Sequence, residues 1–454
     1  MSERPTDSST IYALSSGQGR AGVAVIRISG PAAREVLNCM AAPCPPPRRA
    51  AFRKIVDPAT GELLDAALVL YFAAPSSETG EDIAELQLHG SPAVVRSVFR
   101  ALEAIPGCRM AEPGEFARRA FLNGKIDLTA AEGLADLIDA ETDAQRRQAL
   151  AQAGGAFARL CDGWRQELLE ARALAEAAID FSDEADVAEN ALTQARAVVA
   201  PLLSEIEQAR SGANRGEIVR DGFQVVLAGA PNAGKSSLLN LLACRDVAIV
   251  SAEPGTTRDV IEVRLDLGGY AVVVADTAGL REDGGAIEQE GMRRTRARAR
   301  SADLIVWLAD AQNAIWPRED LLTDAPAVLY VLNKTDLADL PATSPSDGSS
   351  PSAALRISAL TGQGVSDLVT RLTQDVEARV AGMTATALPT QERHRRALSA
   401  CAEALASSLN PTTTEPELIA EDLRIAADAL GRMTGRIDAE DVLGEIFGRF
   451  CIGK

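Results

Sequence analysis

Aromatic residues make up only 4% of this 454-residue chain, and there are just two histidines. Its seven cysteines stand at 39, 44, 108, 161, 244, 401 and 451, none of them in a C-x-x-C pair. Without cysteine pairs or histidine clusters a structural zinc site has no ligand set, and an odd scatter of thiols fits a reducing, cytoplasmic setting. No run approaches about 18 uninterrupted apolar residues. The opening MSERPTDSST is polar, so neither a signal peptide nor a membrane span is expected. Basic residues are also outnumbered, 46 against 64 acids, for a net charge of −18. A protein that grips RNA through its phosphates needs a basic surface. The runs RRTRARAR at 293–300 and RHRR at 393–396 do not supply one, and the first reads as a solvated helix face. If the chain acts on nucleic acid, a partner supplies much of the grip.

What is present is ordinary for a globular protein: 46% hydrophobic and 24% charged residues. The length suggests three domains. Residues 1–121 alternate short strands (GVAVIRISG, LDAALVLYFAAP, EDIAELQLHG) with one helical stretch, an α+β pattern. Residues 122–220 turn helical, with Phe157, Leu160, Cys161, Trp164 and Leu168 on one face and a further helix over 191–210. Residues 221–382 alternate buried strands with helices, and helices resume over 383–454. The α/β block therefore reads as an insertion into one helical domain. GQGRAG at 17–22 spells the dinucleotide fingerprint G-x-G-x-x-G, but it precedes a strand instead of following one, so it reads as a turn.

The inserted block carries four nucleotide-binding elements in a workable order. FQVVLAGAPNAGKSS reads strand, glycine loop, helix, with Gly229 followed by Gly234, Lys235 and Ser236. Glycines let backbone N–H groups wrap a phosphate, Lys235 reaches its oxygens, and Ser236 offers a hydroxyl to Mg²⁺. PGTTRD supplies Thr257 as a second magnesium ligand. DTAG, Asp276 with Thr277, Ala278 and Gly279, ends the strand YAVVVAD and places a carboxylate by the metal. VLNKTD ends another strand with Asn333, Lys334, Thr335 and Asp336, whose carboxylate matches guanine N1–H and the 2-amino group. Ser358, Ala359 and Leu360 of RISAL back the base. GTP, not ATP, follows. The position after DTAG is Leu280, which cannot orient water as a glutamine does; Glu288 is a reachable carboxylate, though spacing alone does not choose it among its acidic neighbours. The amide oxygen of Asn232 can ligate a monovalent cation beside the phosphates.

The end of the chain, FCIGK, follows an amphipathic stretch with Val442, Leu443, Ile446, Phe447 and Phe450 at helical spacing. Periodicity carries this helix almost to the last residue, and on base rates Cys451 is a buried structural thiol.

With these motifs assembled, the chain resembles the MnmE (TrmE) family of tRNA uridine-modification GTPases over nearly its whole length. GVAVIRISG, TGEDIAELQLHG, PGEFARRAFLNGKIDLTAAEGLADLIDA and the terminal FCIGK carry the likeness. The resemblance implies an N-terminal α+β folate-binding and dimerisation domain, an all-α central helical domain, and an inserted α/β Ras-like P-loop G domain. It implies a potassium-dependent GTP hydrolase in a homodimer, activated when two G domains meet. With the FAD-dependent partner MnmG, in a heterotetramer or larger complex, the family adds a carboxymethylaminomethyl or aminomethyl group to C5 of the wobble uridine of certain tRNAs. A tetrahydrofolate derivative, 5,10-methylene or 5-formyl, is the implied one-carbon donor. Carried over residue by residue, folate falls on Arg27, Glu85, Lys125 and Lys454. Potassium falls on Asn232, Ser251, Glu253 (through its carbonyl) and Thr256, and magnesium on Ser236 and Thr257. The nucleotide loops span Asn232, Ala233, Gly234, Lys235, Ser236 and Ser237, and Ser251, Ala252, Glu253, Pro254, Gly255, Thr256 and Thr257. Glu288 matches the family's catalytic acid, and the resemblance gives Cys451 a role at the folate site. Glu78 departs from the Phe or Tyr often found before TGED, and Pro254 stiffens the potassium loop; neither departure is expected to touch a carried-over side chain. The competing readings are an Era- or Der-like ribosome-assembly GTPase, for which no basic GXXG loop is found, and a signalling switch, which leaves the N-terminal motifs unexplained.

Overall fold

The computed structural model describes residues 9–181, 183–249, 262–276, 302–317, 327–337, 354–381, 389–437 and 440–453. Its contacts divide the chain into two compact units. The first is Met1–Ala135, Gln152–Gln166 and Ala427–Lys454; the second is Asp136–Ala151 and Glu167–Ala426. No helix among the described residues is long and apolar enough to cross a membrane.

The first unit is built on six strands: β1 (Thr10–Leu14), β2 (Val23–Ser29), β3 (Ala51–Val56), β4 (Leu63–Phe72), β5 (Ile83–His89) and β6 (Cys108–Met110). They lie in the order β3-β4-β5-β2-β1-β6, antiparallel except for β1 beside β6. Because successive side chains leave a strand on opposite faces, β2 sends Ala24, Ile26 and Ile28 to one side and Arg27 to the other. α1 (Ala33–Met40) and α2 (Pro92–Glu103) cover the first face, burying Val36, Leu37, Met40, Val98 and Leu102 with Ile26, Ile28, Val69 and Leu86. Each such side chain contributes about 1.5–3 kcal/mol when fully buried. α2 starts cleanly: Ser91 Oγ accepts the Ala93 N–H, and Pro92 has no N–H to leave unpaired. Elsewhere in this unit Ile11, Ala13 and Ala111 cluster with Phe116 of α3 (Glu115–Leu122). The 17–22 stretch is irregular and exposed and leads into β2, in keeping with a turn. Along the chain follow α4 (Leu128–Asp139), α5 (Asp143–Ala153), nearly all of which belongs to the second unit, and α6 (Ala156–Asp180), which passes from the first unit into the second; α6 buries Phe157, Cys161, Trp164 and Leu168 at helical spacing, and Leu160 is half-buried.

In the second unit α7 is a single helix, Ala185–Asp221, longer than the 191–210 read from periodicity. It runs through Pro201, which removes one hydrogen bond. Tertiary packing along its length outweighs that loss. The second sheet comprises β7 (Phe223–Gly229), β8 (Glu262–Leu267), β9 (Tyr270–Asp276), β10 (Leu304–Asp310), β11 (Val328–Asn333) and β12 (Leu355–Arg356). Its order is β12-β11-β10-β7-β9-β8, with β8 antiparallel to β9 and the other pairs parallel. α8 (Lys235–Ala243) and α9 (Val365–Val380) pack Leu238, Leu239, Leu242, Leu368, Leu372 and Val376 into its core. This is the inserted α/β domain. The chain returns in α10 (Glu392–Ser408), which packs against α7: Arg395 pairs with Glu217 at 3.3 Å. α11 (Pro416–Thr434) follows, and Arg196 of α7 donates to the Thr413 carbonyl just before it at 2.7 Å.

The last helix, α12 (Glu440–Gly448), belongs to the first unit, where Ile446, Phe447 and Phe450 pack with Ala117, Leu128 and Ala131. It stops at Gly448, short of the run to the terminus that the periodicity suggests. One further turn bond, Phe450 N–H to the Phe447 carbonyl, follows, and then the tail finds extended partners: Ile452 bridges to Pro113, and Ser15 Oγ donates to the Gly453 carbonyl at 2.9 Å. Cys451 is exposed, so the buried-thiol reading is wrong.

Candidate functional site

The C-terminal ends of β7, β9, β10 and β11 lie side by side, and chemistry in open parallel sheets gathers at that edge. β7 leads through Gly229 (φ 140°) into a loop where Asn232 (φ 63°) and Gly234 (φ 95°) are left-handed. A side chain on Gly234 would strike the Asn333 amide, and one on Gly229 the Leu308 carbonyl. The glycines are therefore required for close approach as well as for φ. α8 begins at Lys235, so its first N–H groups and positive dipole end face the loop. Lys235 is buried, and its Nζ donates to the carbonyls of Gly229 at 3.0 Å and Ala230 at 3.1 Å. Burial pulls its pKa down while the Asp276 charge pushes it back up. Ser236 Oγ donates to Asp276 Oδ2 at 2.8 Å.

Asn333, 1% exposed, ties two loops together: its Nδ2 donates to the Ala233 carbonyl at 2.8 Å and its Oδ1 accepts the Ala359 N–H at 2.9 Å. Lys334 pairs with Asp310 at 2.7 Å, and Thr335 Oγ1 donates to the Ile357 carbonyl at 3.0 Å. These contacts leave Asp336 exposed in a 3₁₀ turn, Thr335–Leu337. Ser358 is buried and accepts the Thr361 N–H at 3.1 Å, while Leu360 is exposed. Asn232 and Ser237 are exposed on the loop and first turn. One edge of the sheet thus assembles Asn232, Ala233, Gly234, Lys235, Ser236, Asp276, Asn333 and Ala359. Ser251, Ala252, Glu253, Pro254, Gly255, Thr256, Thr257, Thr277, Ala278, Gly279, Leu280, Glu288 and Lys454 lie outside the described residues. The donor set fits a small hard cation: a hydroxyl and a carboxylate within 2.8 Å of each other, both oxygen. No group of three or more His, Cys, Asp or Glu forms a further metal site among the described residues.

A second cluster of sequence-chosen residues lies in the first unit. Arg27 and Glu85 are register partners on β2 and β5, and Glu85 Oε1 accepts from Arg27 Nε at 3.1 Å. The guanidinium stands 6.0 Å from the Phe116 ring centroid, at cation–π range. Lys125 is exposed and lays its stem over Gly80, where an added Cβ would lie 3.1 Å from Lys125 Cε. The loop carrying Gly80 is anchored: Ser29 Oγ meets Thr79 Oγ1 at 2.7 Å and Glu81 Oε2 at 2.8 Å, and Asn123 Nδ2 donates to the Thr79 carbonyl at 2.8 Å. Arg119 bridges Glu81 at 3.1 Å and Glu115 at 3.0 Å, and Arg109 holds Glu115 at 2.6 Å. Burial alone raises the Glu115 carboxyl pKa. Hydrogen bonds from Arg109, the Glu112 N–H and Arg119 together outweigh it and hold the carboxyl below its ordinary value.

Sequence reasoning missed Glu78 and Phe116. By sequence Glu78 touches no carried-over residue, yet its Oε2 lies 2.7 Å from Arg27 Nη1. A loop residue has no periodicity to show which strand residue it meets. Phe116 sits within the quoted PGEFARRAF run, but the fold was needed to place it under Arg27.

Two family profiles match the chain: that of the GTP-binding protein TrmE N-terminus over residues 10–125, and that of the MnmE helical domain over residues 128–451. A tRNA modification GTPase MnmE from Rhodopseudomonas palustris is 51% identical over 451 residues, covering 99% of this chain and 100% of the relative. A protein of the same name from Methylorubrum populi is 51% identical over 452 residues, 99% of each chain. Among solved structures, the G domain of the T. maritima FeoB iron transporter is 24% identical over 35% of this chain and 98% of its own, with a TM-score of 0.27.

Proposed function

The chain belongs to the MnmE family of tRNA-modification GTPases, and we propose that it couples GTP hydrolysis to folate-dependent modification of a tRNA wobble uridine. The observation that carries the GTPase half is the Ser236–Asp276 contact at the head of α8, beside a lysine held over the phosphate loop. The α8 N–H groups and Lys235 bind phosphate oxygens; Ser236, Asp276 and Thr257 hold Mg²⁺, which supplies charge neutralisation on the phosphates. Asp336 selects guanine, while Ser358, Ala359 and Leu360 line the base. Glu288 orients the attacking water in place of the glutamine that Leu280 replaces, and Asn232 joins Ser251, Glu253 and Thr256 around K⁺.

The modification half rests on Arg27, Glu85, Lys125 and Lys454 as the folate site, with exposed Cys451 available to the donor. Cationic groups suit the folate glutamate tail, and a carboxylate suits the pterin edge. In this reading the division is 1–121, 122–220, 221–382 and 383–454. The chain works as a homodimer with FAD-bearing MnmG and tRNA, and hydrolysis is stimulated when two G domains meet. The family assignment over nearly the full length favours this over ribosome assembly.

Two measurements test it. Calorimetric titration with 5-formyltetrahydrofolate on the full chain and on Arg27→Ala should show saturable binding that the substitution weakens; absence of binding to the full chain removes the folate half. GTP hydrolysis in K⁺ should exceed that in Na⁺, and Asp336→Asn should shift preference from GTP to XTP by at least about a hundredfold, since the amide matches the xanthine 2-carbonyl. Unchanged base preference removes Asp336 from the site.

A further inference from the structure

Two carboxylates of different character hold Arg27. Glu85 is on a strand hydrogen-bonded on both sides, its side chain only 16% exposed, and it takes Nε at 3.1 Å and Nη2 at 3.0 Å. Glu78 comes from the loop between β4 and β5, and its side chain is 51% exposed. It approaches Nη1 at 2.7 Å, close enough for charge attraction. The angle falls outside hydrogen-bond geometry, so the buried Nη1 has no hydrogen-bond acceptor among the described residues. A guanidinium is a planar fork of donors made for bidentate carboxylates, and a buried N–H without an acceptor is costly. Arg27 therefore has one well-used side and one poorly used side.

The loop is tethered around Glu78, not at it. Ser77 Oγ donates to the Glu81 carbonyl, Thr79 is held by Ser29 and Asn123, and Glu81 by Arg119. The Glu78 side chain can swing to solvent without disturbing these anchors, whereas Glu85 cannot leave its strand position.

We infer that Glu78 is an internal gate on this site: it neutralises Arg27 Nη1 in the free protein and is displaced when the carboxylate of an anionic ligand takes that donor. This rests on the reading of Arg27 as part of the folate site, and the ligand class is a reduced folate with its glutamate tail. The gate sets affinity and specificity. A ligand without a carboxylate gains nothing from opening it, and an anionic ligand must outcompete Glu78. A half-exposed ion pair changes such an equilibrium by no more than about fivefold, so the gate tunes binding without blocking it.

The test uses the full chain with Glu78→Gln, which keeps the shape and removes the charge. Two readouts separate the gate from the folate reading. The first is the rate at which phenylglyoxal modifies Arg27, followed by peptide mapping; it needs no folate. The second is the Kd for 5-formyltetrahydrofolate. The gate predicts that Arg27 reacts several-fold faster and that folate binds up to about fivefold tighter in E78Q. Equal Arg27 reactivity in both proteins overturns the gate whatever folate does. Faster reaction with unchanged or weaker folate binding overturns the competition, weaker binding making Glu78 a ligand contact instead. Faster reaction with no folate binding by either protein leaves Glu78 shielding Arg27 and overturns the folate reading alone.

Discussion

Ser236 and Asp276 stand 40 positions apart in the chain and meet at 2.8 Å, hydroxyl to carboxylate. One stands in the first turn of α8 and the other closes β9, two elements that share a core but no local sequence. Asp276 is 1% exposed, so its carboxyl is held out of bulk water beside Ser236, where a cation entering the loop would meet it. Replacing Asp276 by Asn or Ser236 by Ala should lower GTP hydrolysis by about a hundredfold or more, with a rightward shift of the Mg²⁺ titration. Hydrolysis that keeps its rate and its Mg²⁺ dependence would remove the pair from the metal site.

Asn333 satisfies two backbone groups at once, the Ala233 carbonyl and the Ala359 N–H. Asn333→Ala strands both in a buried setting, at a cost of roughly 2–4 kcal/mol for the two. The α/β unit should melt earlier, and affinity for a fluorescent guanine nucleotide should fall at least about tenfold because the phosphate and base loops lose their common tie. A variant with wild-type affinity would show that the loops hold their geometry independently.

Glu115 carries a sign that can be checked by pH. Its carboxyl pKa is lowered from 4.5 in the folded chain, so the stability it contributes is fully present above that value and disappears as pH falls through the lower folded value. Glu115→Gln should therefore cost the first unit about 3 kcal/mol near neutrality, since Arg109 and Arg119 lose a buried counter-charge. The difference between the two proteins should close in acid. Hydrogen exchange of the β2 amides from neutral pH down to acid reads it; a gap that stays constant in acid would contradict the assignment.

The thiols divide by exposure. Cys401 is fully buried, and burial pushes its pKa up to about 12, so it should resist iodoacetamide in the native protein. Cys451, exposed on the tail, should be alkylated, as should exposed Cys39 and Cys244. Mass mapping of the native chain decides it, and protection of Cys451 would mean that the tail is covered in solution.

Much of the nucleotide site was legible before any fold was known, because a phosphate loop is a local device. Gly229, Gly234, Lys235 and Ser236 act through backbone conformation and spacing within one strand–loop–helix turn. Asn333 was also chosen from its motif, but its tie to both Ala233 and Ala359 was not, since those partners lie 100 and 26 positions away. Periodicity misjudged α7, which continues through Pro201, because packing supplies stability that propensity omits. It misjudged the tail as well. Phe447 and Phe450 keep their helical spacing, and the Phe450 N–H still bonds the Phe447 carbonyl, but from Ile452 onward the tail bonds to Pro113 and Ser15.

The order of amino acids alone determined the chain's class, its parallel-sheet insertion, and the family to which its motifs belong, since each is written in short-range patterns of apolar period and glycine placement. Only the tertiary structure decided that Glu78 reaches Arg27, that Cys451 faces outward, and that Asn333 ties two loops. Those outcomes depend on where distant segments come to rest, and the Coulomb and hydrogen-bond terms that follow act over a few ångströms of space, not along the sequence.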